Sequence, residues 1–168
     1  TVAGHPAQTS VPVAWYDRHR IPVELSAASQ QHRDIPLQQG WNLFSFNLDP
    51  MVEGAPVSGP QDVLSSIEGY YSAVLGYDQG ARSYYPDLPD YMNDLDALSH
   101  EFGYWIRMTQ ARTLSLEGSL VPTDQPLSLD AGWNLVSYLP ESDIAVADAL
   151  TSLGSNLQAV LAFHDGSA

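Results

Sequence analysis

Gly40-Trp41-Asn42-Leu43-Phe44-Ser45-Phe46 returns 92 positions later as Gly132-Trp133-Asn134-Leu135-Val136-Ser137-Tyr138, with five of the seven residues identical. Further on, Asp62-Val63-Leu64-Ser65-Ser66-Ile67 matches Asp148-Ala149-Leu150-Thr151-Ser152-Leu153, and Ala73-Val74-Leu75-Gly76-Tyr77-Asp78 matches Ala159-Val160-Leu161-Ala162-Phe163-His164, now at an offset of 86. The change of offset falls in the Pro/Gly-rich stretch from Met51 to Pro60, which the second copy shortens near Pro140. Two blocks in the same order, separated by a connection of variable length, are the mark of a duplicated unit with a surface loop between its elements.

Working outward, Ile35-Pro36-Leu37 aligns with Leu127-Ser128-Leu129 ahead of the Gly-Trp pair. The first copy then runs on through Ser83-Tyr84-Tyr85-Pro86, Asn93-Asp94-Leu95-Asp96, Gly103-Tyr104-Trp105-Ile106-Arg107-Met108-Thr109 and Thr113-Leu114-Ser115-Leu116-Glu117-Gly118. The second copy reaches Ala168 before any counterpart of these, so the chain is expected to lack about half of a repeat at that end. At the front, Ala14-Trp15 followed by Ile21-Pro22-Val23-Glu24-Leu25 is similar to Tyr104-Trp105 followed by Thr113-Leu114-Ser115-Leu116-Glu117. Residues 1–34 are therefore set apart as a strand segment, a degenerate end of the same repeat; 35–126 form a complete copy and 127–168 a truncated one.

Alternation of apolar and polar residues around Gly40-Trp41 and Gly132-Trp133 predicts two short strands about a tight turn, with Trp and Leu on the face opposite Asn. Asp62 and Asp148 stand where N-caps would, ahead of short helices over 62–68 and 148–154 that end at Gly69 and Gly154. Strands follow over 71–77 and 157–163, the first ending at a turn through Asp78-Gln79-Gly80, and residues 103–108 and 113–117 make a further strand pair. The expected fold is mainly β: antiparallel sheets from a duplicated β-rich repeat with one short helix per copy, in a β-sandwich or barrel-like arrangement.

Twenty acids against six bases, all arginine, leave a net charge of −14. Such a surface repels phosphate backbones and anionic bilayers, which argues against nucleic-acid partners. No run of about 18 apolar residues is present, so membrane insertion is not expected, nor do residues 1–20 carry a basic-then-apolar leader pattern. The absence of cysteine excludes disulfides, thiolate zinc sites and thiol catalysis.

Two clusters carry candidate chemistry. Asp87, Asp90, Asp94 and Asp96, among Pro86, Pro89 and Asn93, offer hard oxygen donors for calcium, or serve as turn-forming and capping acids. Tyr70, Tyr71, Tyr84, Tyr85 and Tyr91 offer faces on which sugar rings stack, or pack half-buried in strands. Trp41, Trp105 and Trp133, beside Leu and Ile at repeated strand positions, are expected in the core. Ser45 and Ser137 recur without a Gly-x-Ser-x-Gly elbow, and the five histidines are scattered, so a non-enzyme is expected, with no cofactor other than calcium.

The order Gly-Trp-Asn-Leu-x-Ser, short helix, Tyr-Asp, Tyr-Pro, Gly-Tyr-Trp-Ile-x-Met-Thr and Leu-x-Leu-x-Gly, covering 35–118 and again 127–166, resembles a repeat of large secreted and cell-surface proteins of bacteria and archaea. His100-Glu101-Phe102 replaces the glycine usual before the Gly-Tyr-Trp-Ile strand. The resemblance implies an extracellular structural, adhesive or carbohydrate-associated module beside other domains of a larger surface protein. An open half repeat invites self-association by strand addition, as in a filament. The alternative expectation is a carbohydrate-binding module of a secreted enzyme or adhesin.

Overall fold

A computed structural model describes residues 30–161 and residue 163. Of the N-terminal strand segment expected over residues 1–34, residues 1–29 lie outside these, and Gln31 to Asp34 belong to the first strand of the sandwich, across the boundary expected at residue 35. The first copy comprises β1 (Gln31–Leu37), β2 (Gly40–Phe44), β3 (Leu48–Val52), β4 (Ala55–Pro56), α1 (Pro60–Val63), β5 (Tyr71–Tyr77), β6 (Ala81–Tyr84), β7 (Tyr104–Met108) and β8 (Arg112–Leu120). They form two four-stranded antiparallel sheets, in the orders β1-β8-β3-β4 and β2-β7-β5-β6. One core joins them: Leu37, Leu48, Leu114 and Leu116 of the first sheet meet Phe44, Tyr71, Val74, Tyr104, Ile106 and Met108 of the second. The chain is thus mainly β, as the duplication implied, and the unit is a sandwich.

The two presumed hairpins are corners instead. β1 and β2 belong to different sheets, as do β7 and β8. β1 pairs with β8 from Gln31↔Gly118 to Leu37↔Arg112, and β2 pairs with β7 from Gly40↔Met108 to Phe44↔Tyr104. An opening arch therefore lies against a closing arch, and each sheet receives one strand from both.

Asn42 makes the first corner. Its side-chain amide donates to Gln38 O at 2.7 Å and Gly40 O at 3.2 Å, while its Oδ1 accepts the Gln38 N–H at 2.8 Å. Gly40 takes the left-handed φ of 95° that the bend requires. The second copy repeats the device: Asn134 binds Asp130 N, Asp130 O and Gly132 O at 2.9, 2.9 and 3.2 Å, with Gly132 at φ 104°. Because Asn42 turns inward, the alternation carries Phe44 into the core and Trp41 and Leu43 out of it. Trp41 and Trp133 are accordingly exposed, against the expectation of burial, and Trp105 is half-buried.

The helix also recurs, as α1 and as α2 (Val146–Ala149), each followed by a 3-10 turn. Neither starts at an aspartate: the N-caps are Gly59 and Ala145, and Asp62 and Asp148 sit in the first turn, where a carboxylate meets the positive helix end. The hairpin turn after β5 stands as expected, with Gln79 at φ 53°.

The second copy departs from the first beyond this point. Residues 132–138 form only an isolated antiparallel bridge, Phe102↔Val136, and residues 157–161 form no strand. The physical reason lies in the sheet orders: β7 is the central strand between β2 and β5, and β8 lies between β1 and β3. Among the described residues nothing stands in those two positions in the second copy, so its strands lack partners.

β3 and β8 approach closely at Gly118, where an added Cβ would lie 2.2 Å from Asp49 O. Gly118→Ala must push β3 away from β8, and is expected to cost about 3 kcal/mol. Denaturant unfolding of the variant against the parent checks this; an unchanged midpoint would show that the sheet relaxes without strain.

Candidate functional site

The five tyrosines do not form one platform. Tyr71 is in the core, and Tyr84 packs against it with its hydroxyl within hydrogen-bonding reach; burial raises both phenols. Tyr70 lies under the Arg112 guanidinium at 3.9 Å, a cation–π contact that covers its face. Tyr85 and Tyr91 remain exposed, Tyr91 at 86%.

These two belong to a loop that the acidic cluster builds. Asn93 accepts the Tyr85 N–H at 2.9 Å and donates to Tyr85 O at 3.3 Å, closing residues 85–93 into a ring. Asp94 Oδ1 accepts the Ser83 N–H at 2.6 Å and the Ser83 hydroxyl at 3.1 Å. The Ser83 amide, with its hydroxyl, holds the Asp94 carboxyl below the usual carboxylate range. Asp87, Asp90 and Asp96 are exposed. Among the described residues no group of three or more His, Cys, Asp or Glu side chains is placed to hold a metal ion. Leu88, Tyr91 and Met92 are exposed large apolar residues on the same ring. Sequence reasoning passed over Leu88 and Met92 and named Asn93 without the clamp it makes; the signal was two prolines, Pro86 and Pro89, bracketing a short segment.

A second region emerges where the copies meet. His100-Glu101-Phe102 is the edge on which the second copy docks. Gly103 N–H donates to Leu135 O at 3.0 Å, Ser137 N–H donates to Glu101 O at 3.3 Å, and the Ser137 hydroxyl donates to His100 O. A Cβ on Gly103 would come within 3.1 Å of Val136 O, so glycine permits the approach. The His100 ring spans Asp49 Oδ1 at 2.8 Å from Nδ1 and Gln125 Nε2 at 3.2 Å from Nε2. Ser45 and Ser137, the recurring serines, both lie in this joint; the Ser45 hydroxyl accepts the Tyr138 N–H at 3.3 Å.

Beside this joint the second copy is open. Val74 is fully buried but its counterpart Val160 is 49% exposed; Phe46 is 3% exposed and its counterpart Tyr138 41%. Leu129, Trp133, Ile144, Val146, Leu157 and Leu161 are exposed as well. Compared with family models, curated proteins and solved structures, the chain matches none.

Because the folded Asp94 carboxyl sits below its ordinary value of 3.8, its contribution is fully present above that pH and is lost as pH falls through the lower folded value. The melting temperature of Asp94→Ala should therefore lie below that of the parent at pH 7, with the gap narrowing below about pH 4. Thermal unfolding across that range checks the sign; a gap that widens in acid would contradict it.

Proposed function

We propose that the chain is a non-enzymatic structural or adhesive module of an extracellular or cell-surface protein, and that its second copy is completed by added strands. The observation that supports this is the contrast between the copies: residues buried in the first by β7 and β8 are uncovered in the second. Apolar surface left in water forgoes roughly 25 cal/mol per Å², and unpaired strand edges bind other strands through main-chain hydrogen bonds. The likeness to repeats of large surface proteins supports the extracellular setting.

Strand addition between chains extends head to tail unless the contact closes on itself. Strand addition within a chain yields a monomer. Both leave one signature: amides of residues 133–138 and 157–161 exchange with solvent about as slowly as those of β2 and β5. Hydrogen exchange on the full chain reads this directly, and light scattering across a concentration series tells a constant mass from a growing one. Rapid exchange at both segments would overturn completion by strands.

A second reading, a carbohydrate-binding module of a larger secreted enzyme or adhesin, is favoured by the ring of residues 85–93. Its clamp by Asn93 presents Tyr85 and Tyr91 on an ordered backbone, which lowers the entropic cost of binding. In affinity electrophoresis through soluble polysaccharides, retardation of the parent that is lost on combining Tyr85→Ala with Tyr91→Ala would support this reading. Equal mobility of the two proteins across a broad panel would reject it.

A further inference from the structure

We infer that the outer face of the second sheet binds a glycan whose uronic-acid carboxylates are spaced by uncharged sugars, with sugar rings on Trp41, Trp105 and Tyr77 and a carboxylate on Arg107. This rests on the carbohydrate-binding reading above and places a site on a surface apart from the ring of residues 85–93.

The first ground is register. In β7 the side chains of Tyr104, Ile106 and Met108 enter the core, which turns Trp105 and Arg107 to the outer face. Across the ladders Trp41 stands opposite Arg107, while Trp105 stands between Leu43 of β2 and Leu75 of β5. Tyr77 lies two residues beyond Leu75 on β5. Trp41, Trp105 and Tyr77 therefore follow a diagonal line, one ring from each of three adjacent strands. Diagonal neighbours across a ladder stand about 7 to 8 Å apart, so the rings come at an even step.

Trp41 and Tyr77, at the two ends of the row, are each 40% exposed. Trp105, in the middle, is half-buried and meets Phe163 of the second copy edge-on, with centroids 4.6 Å apart. An even row of aromatic rings on a sheet suits a chain of repeating rings, because each sugar lays an apolar face on an aromatic one while its hydroxyls stay in water.

The second ground is charge. Of the arginines in the described residues, Arg33 bonds Asn47 and Glu141, and Arg112 lies over Tyr70 and bonds Gln110. Arg82 stands beside the Asp94 carboxylate. Arg107 is the remaining one; it is exposed, and among the described residues its guanidinium has no hydrogen bond, ion pair or ring contact. In a chain with twenty acids, a cation left without a carboxylate beside the aromatic row keeps its fork of donors free for a carboxylate from outside.

The rest of the charge sets the kind of glycan. A net charge of −14 repels a densely charged polyanion, so the carboxylates have to be spaced by uncharged sugars. A purely apolar protein surface laid over the row would bury the guanidinium without a partner, which is strongly unfavourable.

Binding is read with the full chain on surfaces carrying hyaluronan or gellan, in which uronic acid is spaced by uncharged sugars, and on the same polymers with their carboxyls reduced to alcohols. An ionic strength of about 0.15 M confines long-range repulsion to about 8 Å. The parent should bind at least one native polymer about tenfold more tightly than its reduced form, as a charge-assisted pair predicts. Arg107→Gln should abolish that preference, and Arg107→Lys, which keeps the charge but not the fork, should retain part of it. Trp41→Ala should weaken native and reduced forms by a similar factor. The four tryptophans give four indole N–H signals, of which the native polymer should shift those of Trp41 and Trp105.

Equal affinity for native and reduced polymers, a preference that survives Arg107→Gln, or bound glycan that leaves both indole signals unmoved would each overturn the site. If glycan binding is lost instead on combining Tyr85→Ala with Tyr91→Ala, the carbohydrate reading stands and this face is not its site. Failure of the parent to bind any polymer, native or reduced, overturns the site, and failure across the broader panel above removes the reading itself. A mass that grows with concentration in the parent and stays constant in Trp41→Ala would assign the face to a second chain and overturn the proposal.

Discussion

The pairing of the opening arch with the closing arch is the interaction on which the rest of the first copy depends. Among the described residues, β1 and β2 pair with β8 and β7, which lie far along the chain. Everything between them, from the β3–β4 hairpin to the Tyr85 ring, is held by strands that themselves attach to that closing pair: β3 to β8, and β5 to β7. Loop closure of that length is paid before any ladder bond forms, so the order of events in folding is dictated from the far end of the repeat. The second copy illustrates the same dependence: among the described residues its Asn134 corner and its helix form from local contacts, and its sheets do not.

Local and non-local information divide along the same line. The Asn clamp needs only five residues of chain, which explains why both copies build it identically in spite of different neighbours. The sandwich needs a face closed from above, which explains why Val74 and Val160 occupy the same place in the repeat and opposite environments. The joint between copies uses a third kind of information, the non-local pairing of Glu101-Phe102-Gly103 with Leu135-Val136-Ser137.

Much of this was legible in the sequence. Mainly-β character, the strands at β1, β2, β5, β7 and β8 and the turn at Asp78-Gln79-Gly80 follow from spacing and alternation, whereas β3 and β4 run into the stretch that reads as a surface loop and β6 carries no alternation to announce it. What was not legible was partnership. Adjacent strands joined by a short turn read as hairpins, yet Asn42 and Gly40 bend the chain across the sandwich rather than back along the sheet. The same bend sets the parity that turns Trp41 outward, so a residue type that favours cores was placed on the wrong face. The tyrosines were grouped by number, although strand parity sends Tyr71 inward and leaves Tyr91 in a loop. Asp94 illustrates the limit of reading acids by count: its carboxylate is committed to Ser83.

The change of length between the copies falls in the stretch from Met51 to Pro60, which includes the β3–β4 tip, where Glu53 and Gly54 both hold left-handed backbone, at φ 50° and 81°, between the last paired residues Val52 and Ala55. β4 is the outermost strand of its sheet and both of its residues are exposed. An insertion between Glu53 and Gly54 would therefore extend a ribbon into solvent without moving a core side chain. This tip is the natural display position of the scaffold, the point at which a foreign peptide could be carried while the arches beneath it go on folding as before.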